Sequence, residues 1–471
     1  MMQGNAQRLT VAVLLLLLGI AALRDLSRLG AAAPWRGMDD LADFYCAGAA
    51  LDDGKSPYTY EPLRTCEHRA NTGDSFRARL FTTNPGVAAP APQPPYDFLP
   101  FMALAKLPFG AARIVAGIAI LVAVALCVVV LAALLLPWDA IAAALALSTA
   151  YASLNTGQIV PFALLALAAA GLALARRREA LAGIFAALVA IEPTVGLPVI
   201  AAVLLFVPRS RIAVAATLVV LFLASLLLVG PVGFVSYLTS VLPAHAASEL
   251  HFPYQYSLTY AAAFFGLGLG AARAVGLFAY VVLAVTGLVL ARRTSGILQR
   301  PELLVFVPAL CAVFGGTFVH AEELCFALPA LLVFATVLRG RQRETAVLAL
   351  CTLSIPWILV WGEKQLFLAS LFVCAVILLR LRVGLRLTAS ALCAFAAIIY
   401  LFELHPPHLP APLRLPRVYA PNELVQNEWS AYAQARSTRD LLWFAIKLPS
   451  WGALAAGVLL ALRAGRPRAK V

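Results

Sequence analysis

The sequence predicts an all-α polytopic membrane protein, a helical bundle of about 12–14 membrane segments. Its 471 residues are 62% hydrophobic and only 13% charged, with a mean hydropathy of +0.88. No soluble class has such a composition. Apolar runs close to the ~20 residues that a helix needs to cross the hydrocarbon core recur along the chain. A membrane barrel is excluded because the alternation typical of its strands is absent, whereas a helix pairs its own backbone amides in lipid.

The basic residues indicate orientation rather than a nucleic-acid partner. The net charge is +13, but Lys and Arg occur in short clusters between apolar runs, as orientation signals do. We therefore expect the bilayer, and no nucleic acid, as a partner. If these clusters face the cytoplasm, the loop 24–109 after a retained first span (Val11–Leu23) faces outwards. The clusters are Arg176–Arg178, Arg209–Arg211, Arg292–Arg293, Arg339–Arg343 and the tail Arg463–Lys470.

The spans are predicted to group into two parts. Residues 1–402 form a multi-span membrane domain, and residues 403–471 form an outer Pro-rich segment, a final span and a basic cytoplasmic tail. The run 181–207 has basic residues on both flanks, which predicts two short half-spans broken at Glu192-Pro193. A carboxylate in such a break indicates a cavity or an ion pair, for instance with Arg273.

The first outer loop carries a concentration of acids. Apolar residues Phe44, Ala47 and Leu51 follow helical spacing, which predicts an amphipathic helix over 43–53 lying on the outer interface. Gly54 is expected to end it. On the residues alone, these acids are either solvated caps or the place where acid–base chemistry occurs. They are Asp39, Asp40, Asp43, Asp52 and Asp53.

The eight cysteines divide by environment. Six lie in or beside apolar runs and are expected to be small core residues. Cys46 and Cys66 share the first outer loop, and they are expected to form a disulfide if that loop faces an oxidising compartment.

Several short motifs occur in order along the chain. Asp43-Phe44, Ala47, Ala50-Leu51, Gly54 and Pro57-Tyr58 follow the first span. Later motifs are Pro94-Pro95-Tyr96, Asn155-Thr-Gly-Gln158, Glu192-Pro193-Thr194, Gln255-Tyr-Ser-Leu258, and His320 with Pro329. From about residue 9 to 380 this order resembles glycosyltransferase family 87, which has the multi-span C-type glycosyltransferase fold and uses polyprenyl-phosphate sugars. Two positions depart from the family, because Glu192 stands in place of Lys and Tyr254 in place of Asn.

The resemblance implies a mannosyltransferase-like enzyme at the outer face of a bacterial inner membrane. It would move a hexose or pentose from a polyprenyl-phosphate donor to a lipid or glycan hydroxyl, with Asp43 as the catalytic base and inversion at the sugar. Such a transfer needs a base and groups that hold the departing phosphate. The candidates for donor or substrate binding are His320, Asp40, Lys55, Arg64, Asn155, Gln158, Glu192, His251 and Gln255.

No cofactor or metal is predicted, because the donor carries its own leaving group, although the carboxylates are able to bind a divalent ion. Glu322 and Glu323 are expected in a solvated turn. A transporter or flippase for polyprenyl-linked glycans is the alternative function, and a non-catalytic assembly subunit is a third. Polar residues concentrate in the outer loops instead of along several spans, which favours an enzyme.

Overall fold

The computed structural model describes residues 2–30, 38–70, 87–250, 252–406, 408, 419–435 and 438–465. Within these ranges all regular structure is helical, apart from one bridge between Thr59 and Leu424. The predicted all-α polytopic class is confirmed. The relation to the C-type fold stays a prediction.

Six helical stretches are long and apolar enough to cross a membrane, and five shorter helices are also apolar. The number of crossings therefore stays a prediction, since it depends on how the short helices lie. The six long stretches are Thr10–Arg28, Phe109–Ala132, Pro208–Ser248, Leu269–Leu298, Leu385–Leu404 and Leu441–Ala464. The five short ones are Val160–Ala175, Glu179–Ile191, Pro193–Phe206, Leu303–Gly315 and Leu366–Arg380.

The α-helices are numbered in chain order. The first are α1 (Met2–Gly30), α2 (Asp39–Asp52), α3 (Tyr60–Ala70), α4 (Leu99–Leu104), α5 (Phe109–Ala132), α6 (Trp138–Leu145), α7 (Ala152–Thr156) and α8 (Val160–Ala175). Next are α9 (Glu179–Leu188), α10 (Pro193–Phe206), α11 (Arg211–Ser236), α12 (Leu242–Ser248), α13 (Leu258–Phe264), α14 (Leu269–Leu298) and α15 (Leu303–Gly315). The last are α16 (Leu328–Val337), α17 (Gly340–Ser354), α18 (Trp357–Val360), α19 (Leu366–Arg380), α20 (Leu385–Leu404), α21 (Val425–Ala435), α22 (Leu441–Ala445) and α23 (Leu448–Ala464).

Short turns of other helix types join several of these elements. The 3₁₀ turns are Pro95–Phe98, Val189–Ile191, Pro208–Ser210 and Glu322–Ala327, and the π turns are Ala146–Tyr151 and Tyr237–Val241.

The core of the bundle is formed by helices that are apolar on every side. In α15 and α16 nearly every residue is buried. By contrast, α1, α11 and α14 expose large apolar side chains on the outside of the bundle, for example Leu227 and Phe278. An all-round apolar helix belongs in the interior of a bundle, and an exposed apolar face is stable only against lipid.

Of two predicted interruptions of the helices, one is present and one lies elsewhere. The predicted break at Glu192-Pro193 is present, since Glu192 leaves helical geometry between α9 and α10. The outer segment expected over 231–257 is helical as far as Ser248, so the irregular part begins later than expected, and its side of the membrane stays a prediction. Gly230 leaves helical geometry with a φ of 69°, and Pro231 opens the next helical segment, so α11 consists of two segments that meet at a kink.

The helix of the first outer loop also differs from its prediction. It begins at Asp39, four residues early, and it is largely buried instead of lying on the membrane interface. Its Gly48 packs against α4 so closely that a Cβ there would lie 2.5 Å from the backbone of Phe101. The small residues Ala47, Gly48 and Ala50 permit this approach, and the helix therefore has a fixed position over the bundle.

Candidate active site

The N-terminal end of α2 is held by the turn that follows α7. The Met38 amide donates to the Asn155 carbonyl oxygen at 3.0 Å, and Gln158 Nε2 donates to Asp40 Oδ2 at 2.6 Å. Between them, Gly157 has a φ of 85°, and a Cβ there would lie 2.6 Å from the Leu41 Cβ. Glycine is required at this position for both reasons. Two sequence motifs, separated by more than a hundred residues, thus meet at one point.

Asp43 lies one turn after Asp40 on α2 and is only 2% exposed. The i, i+3 spacing places both carboxylates on the same face of the helix. Because α2 begins early, Asp43 lies in the second turn and Asp39 and Asp40 occupy the first. The alternative that Asp43 is a solvated cap does not hold, since its side chain is buried.

A second acidic group comes from the turn that precedes α16. Glu322 interacts with the Thr156 hydroxyl and is within electrostatic reach of Asp40. Glu323 is 6% exposed and its Oε1 accepts a hydrogen bond from the His320 amide at 3.4 Å. The expectation of a solvated turn is wrong, because this turn leads directly into the buried helix α16 and carries its acids inwards.

His320 lies opposite a buried carboxylate. Its Nε2 is 3.8 Å from Glu249 Oε2, and Glu249 Oε1 accepts the Trp429 indole N–H at 2.7 Å. Gln255 Nε2 lies 3.5 Å from the same Glu249 Oε2, while its Oε1 accepts the Val319 amide at 3.1 Å. Gln255 therefore connects the Glu249 carboxylate with the backbone next to His320.

These contacts set the protonation states. Burial lowers the pKa of His320, but Glu249 and the charges of Glu322 and Glu323 outweigh it and raise that pKa to about 9. Burial opposes ionisation of Glu249, yet His320, His245 and Trp429 hold its pKa below the usual range. Burial raises the pKa of Glu323 to about 7 and also raises that of Glu322. The site thus combines a cationic His with a carboxyl group that titrates near neutrality.

Glu192 belongs to the same neighbourhood. It lies within electrostatic reach of Glu323, Asp97 and Glu322. The Tyr96 hydroxyl donates to the Ala190 carbonyl oxygen at 2.7 Å, which brings the Pro94-Pro95-Tyr96 motif against the break before α10. Arg273 is exposed and, within the described residues, no ion pair joins it to Glu192.

We call the set Asp40, Gln158, Glu249, His320, Glu322 and Glu323 the acid–histidine cluster. Five predicted site residues belong to the cluster or interact with a member of it, namely Asp40, Gln158, Glu192, Gln255 and His320. Asn155 contributes its backbone carbonyl to the support of α2. His251 lies outside the described residues.

Lys55 and Arg64 lie elsewhere, so the structure does not bring these two cations to His320. Lys55 Nζ is 3.7 Å from Asp53, and Arg64 is 3.5 Å from Glu61. Lys55 lines a groove of about 730 Å³ on the other side of α2. We call it the disulfide groove, because Cys46 and Cys66 line it and are joined by a disulfide. Its other charged lining residues are Asp53, Glu61 and Arg69.

Three residues of the neighbourhood were missed by the sequence reasoning: Asp97, Glu249 and Trp429. Asp97 directly follows the Pro94-Pro95-Tyr96 motif, and burial raises its pKa well above the usual range. Glu249 stood beside His251 in a predicted loop, which was a usable signal. No sequence signal pointed to Trp429. In the described part of the chain, no group of three or more His, Cys, Asp or Glu is arranged to hold a metal ion.

One family model matches the chain. Residues 93–321 match the family model described as Glycosyltransferase family 87. That range includes the turns carrying Gln158, Glu192, Glu249 and His320. No curated protein and no solved structure matched the chain. The match supports membership of glycosyltransferase family 87 and a glycosyltransferase activity, and the apolar helices indicate a multi-pass membrane protein.

Proposed function

We propose that the protein transfers a hexose or pentose from a polyprenyl-phosphate-linked donor to a hydroxyl of a lipid or glycan acceptor. The reaction takes place at the outer face of a bacterial inner membrane, and Asp43 is the general base. The observation that carries the proposal is that the helix face with the buried Asp43 also carries Asp40, which lies within electrostatic reach of Glu322 beside the cationic His320. These groups come from distant parts of the sequence, and a carboxylate and a cation are what such a transfer requires.

The chemistry follows from these groups. Asp43 takes the proton of the acceptor hydroxyl as its oxygen attacks the anomeric carbon of the donor. The bond from that carbon to the phosphate oxygen breaks, and the polyprenyl phosphate leaves with the electron pair. His320 stabilises the negative charge that develops on the phosphate, since a charge-assisted hydrogen bond is the strong kind. A single displacement of this type inverts the anomeric configuration.

The outer location is supported by where helices begin and end. The 16-residue α8, about 24 Å long, starts beside Gln158 and ends at Arg176. Helix α10 likewise starts beside Glu192 and is followed by Arg209. The cluster and the arginines thus lie at opposite ends of the same helices. Because Arg-rich turns face the cytoplasm, the cluster belongs on the other side.

Impermeant thiol labelling tests this topology. A Cys introduced at Lys55 should react in intact spheroplasts, and a Cys introduced at Arg177 should react only after permeabilisation. The parent protein, in which Cys393 is exposed, gives the background. Reversed labelling would place the site in the cytoplasm.

The activity itself is tested with purified protein in proteoliposomes and a panel of polyprenyl-phosphate sugars. We expect the glycosylated acceptor and free polyprenyl phosphate in equal amounts. Movement of the lipid-linked sugar across sealed vesicles without any new glycosidic bond would favour the transporter alternative.

A further inference from the structure

A tryptophan from outside the family-matched region takes part in the site. Trp429 lies in α21, in the outer segment well beyond residue 321, and is 5% exposed. Its indole N–H donates to Glu249 Oε1 at 2.7 Å, a contact between residues 180 positions apart. Glu249 is itself 4% exposed. A buried indole N–H that donates to a carboxylate oxygen fixes the orientation of that carboxylate, because the hydrogen bond satisfies both polar groups.

The other oxygen of Glu249 faces His320. Oε2 is 3.8 Å from His320 Nε2 and 3.5 Å from Gln255 Nε2. The two carboxylate oxygens therefore have different tasks: Oε1 is held by Trp429, and Oε2 is turned towards the imidazole. The ion pair is inside the protein, where solvent screens a charge far less than at the surface.

This arrangement decides which ring nitrogen of His320 is available. The side chain is 26% exposed, but Nε2 is buried and lies 3.8 Å from Glu249 Oε2, which is an ion-pair distance and too long for a hydrogen bond. Within the described residues, no hydrogen bond is made by Nδ1 and it is not among the buried atoms. The Phe318 ring packs edge-on at 4.7 Å and keeps the imidazole in this orientation. With Nε2 on the carboxylate, Nδ1 is the atom left to donate to a ligand.

We propose that Glu249 is a positioning residue, which holds His320 as a cation with Nδ1 directed at the donor phosphate, and that Trp429 of the outer C-terminal segment fixes Glu249. This inference rests on the proposed function. It also assigns the segment after residue 402 a part in the site, although the division at 402/403 separates it from the membrane domain.

The other charged groups around His320 are Glu322, Glu323 and His245. Glu322 and Glu323 also add negative charge, but they raise the His320 pKa less than Glu249 does, and burial raises the pKa of both carboxyls. Glu249 is thus the principal counter-charge. Its removal leaves the burial of His320 as the dominant influence, and burial lowers a histidine pKa.

The test compares Glu249→Gln and Trp429→Phe with the control Trp357→Phe. Trp357 also donates its indole N–H to one oxygen, that of Thr352 at 2.8 Å, but it lies in α18, and no hydrogen bond or ring contact of the described residues joins it to the cluster. All variants are first checked for native-like size and thermal unfolding. Binding of farnesyl phosphate, a short polyprenyl phosphate, is then measured alongside donor KM, kcat and the pH dependence of both.

In the parent protein, NMR titration of His320, assigned by its loss in His320→Gln, should give a pKa of about 9. In Glu249→Gln the His320 pKa should fall well below that of the parent protein, and the alkaline limit of donor binding should fall with it. At pH 8 we expect farnesyl phosphate to bind about 10- to 150-fold more weakly, with donor KM raised and kcat changed less. Trp429→Phe should weaken farnesyl phosphate binding in the same way, by about three- to tenfold. Glu249→Asp should bind more tightly than Glu249→Gln, and Trp357→Phe should bind as the parent protein does.

The outcomes separate the two proposals. A folded Glu249→Gln with an unchanged His320 pKa and unchanged farnesyl phosphate binding overturns this inference, even if transfer is normal. An altered titration and weaker binding, in a protein that transfers no sugar from any donor of the panel, supports the inference and removes the proposed function.

Discussion

The two polar regions around α2 differ in how they are built. The acid–histidine cluster joins segments that are far apart in the sequence, and most of its side chains are buried or half-buried. The disulfide groove pairs near neighbours, such as Lys55 with Asp53, whose side chains are 57% and 65% exposed. Along α2, Asp40 of the cluster and Ala49 of the groove point to opposite sides by helical spacing, and Asp43 lies between them. Buried groups with fixed partners acquire altered protonation states, whereas exposed pairs contribute about 0–1 kcal/mol. Substitutions should therefore affect the reaction strongly on the first face and weakly on the second.

The largest effect is expected from Asp43→Asn. The change keeps the shape of the side chain and removes the base, so turnover should fall by about 10²–10⁴-fold while donor binding is retained. Turnover and farnesyl phosphate binding are measured on the same preparation.

The matched control is Asp40→Asn, one turn earlier on the same face. Gln158 Nε2 donates to Asp40 at 2.6 Å and can donate equally to the amide oxygen of the introduced Asn. The loss of turnover should therefore be far smaller than in Asp43→Asn. If Asp40→Asn were inactive and Asp43→Asn normal, the base would be Asp40.

Removal of the Cys46–Cys66 disulfide should act on stability and not on chemistry. The bridge closes a loop with a sequence separation of 20, and loss of such a crosslink lowers the free energy of unfolding by about 3 kcal/mol. Thermal unfolding of Cys46→Ala/Cys66→Ala in one detergent, with and without reductant, measures it. Turnover well below the unfolding temperature should change less than about threefold, because Gln158 still holds the catalytic face of α2. Cys393→Ala, which alters a free exposed thiol, should be unchanged in both.

The two regions also differ in how much of their structure the sequence predicts. Local composition predicts the helices, the break at Glu192 and the pairing of the two loop cysteines. Contacts such as Trp429 with Glu249 depend on packing between distant segments, which no local pattern encodes. Lys55 and Arg64 were assigned to the donor phosphate by charge alone, and charge does not indicate where in the fold a side chain lies.

His320→Gln should weaken donor binding more than it slows the reaction. Loss of a hydrogen bond to a charged group corresponds to about 1.5–3 kcal/mol, or roughly 10- to 150-fold in donor KM. The defect should be largest below pH 9, the pH range in which His320 of the parent protein is charged. Donor KM at pH 7 and pH 10 measures this, and an equal KM at both pH values would remove His320 from the phosphate site.

The smallest effects are expected from Lys55→Ala and Arg64→Ala. Both side chains are paired with a neighbouring acid in the exposed groove, Lys55 at 57% exposure and Arg64 at 38%. Such pairs are screened by salt and contribute at most about 1 kcal/mol, so donor KM and turnover should change less than about fivefold. The sequence prediction that these cations hold the donor phosphate requires a change as large as that of His320→Gln. A tenfold or larger rise in donor KM for either variant, at a salt concentration where His320→Gln shows its full defect, would mean that the donor extends across α2 and that the two faces form one site.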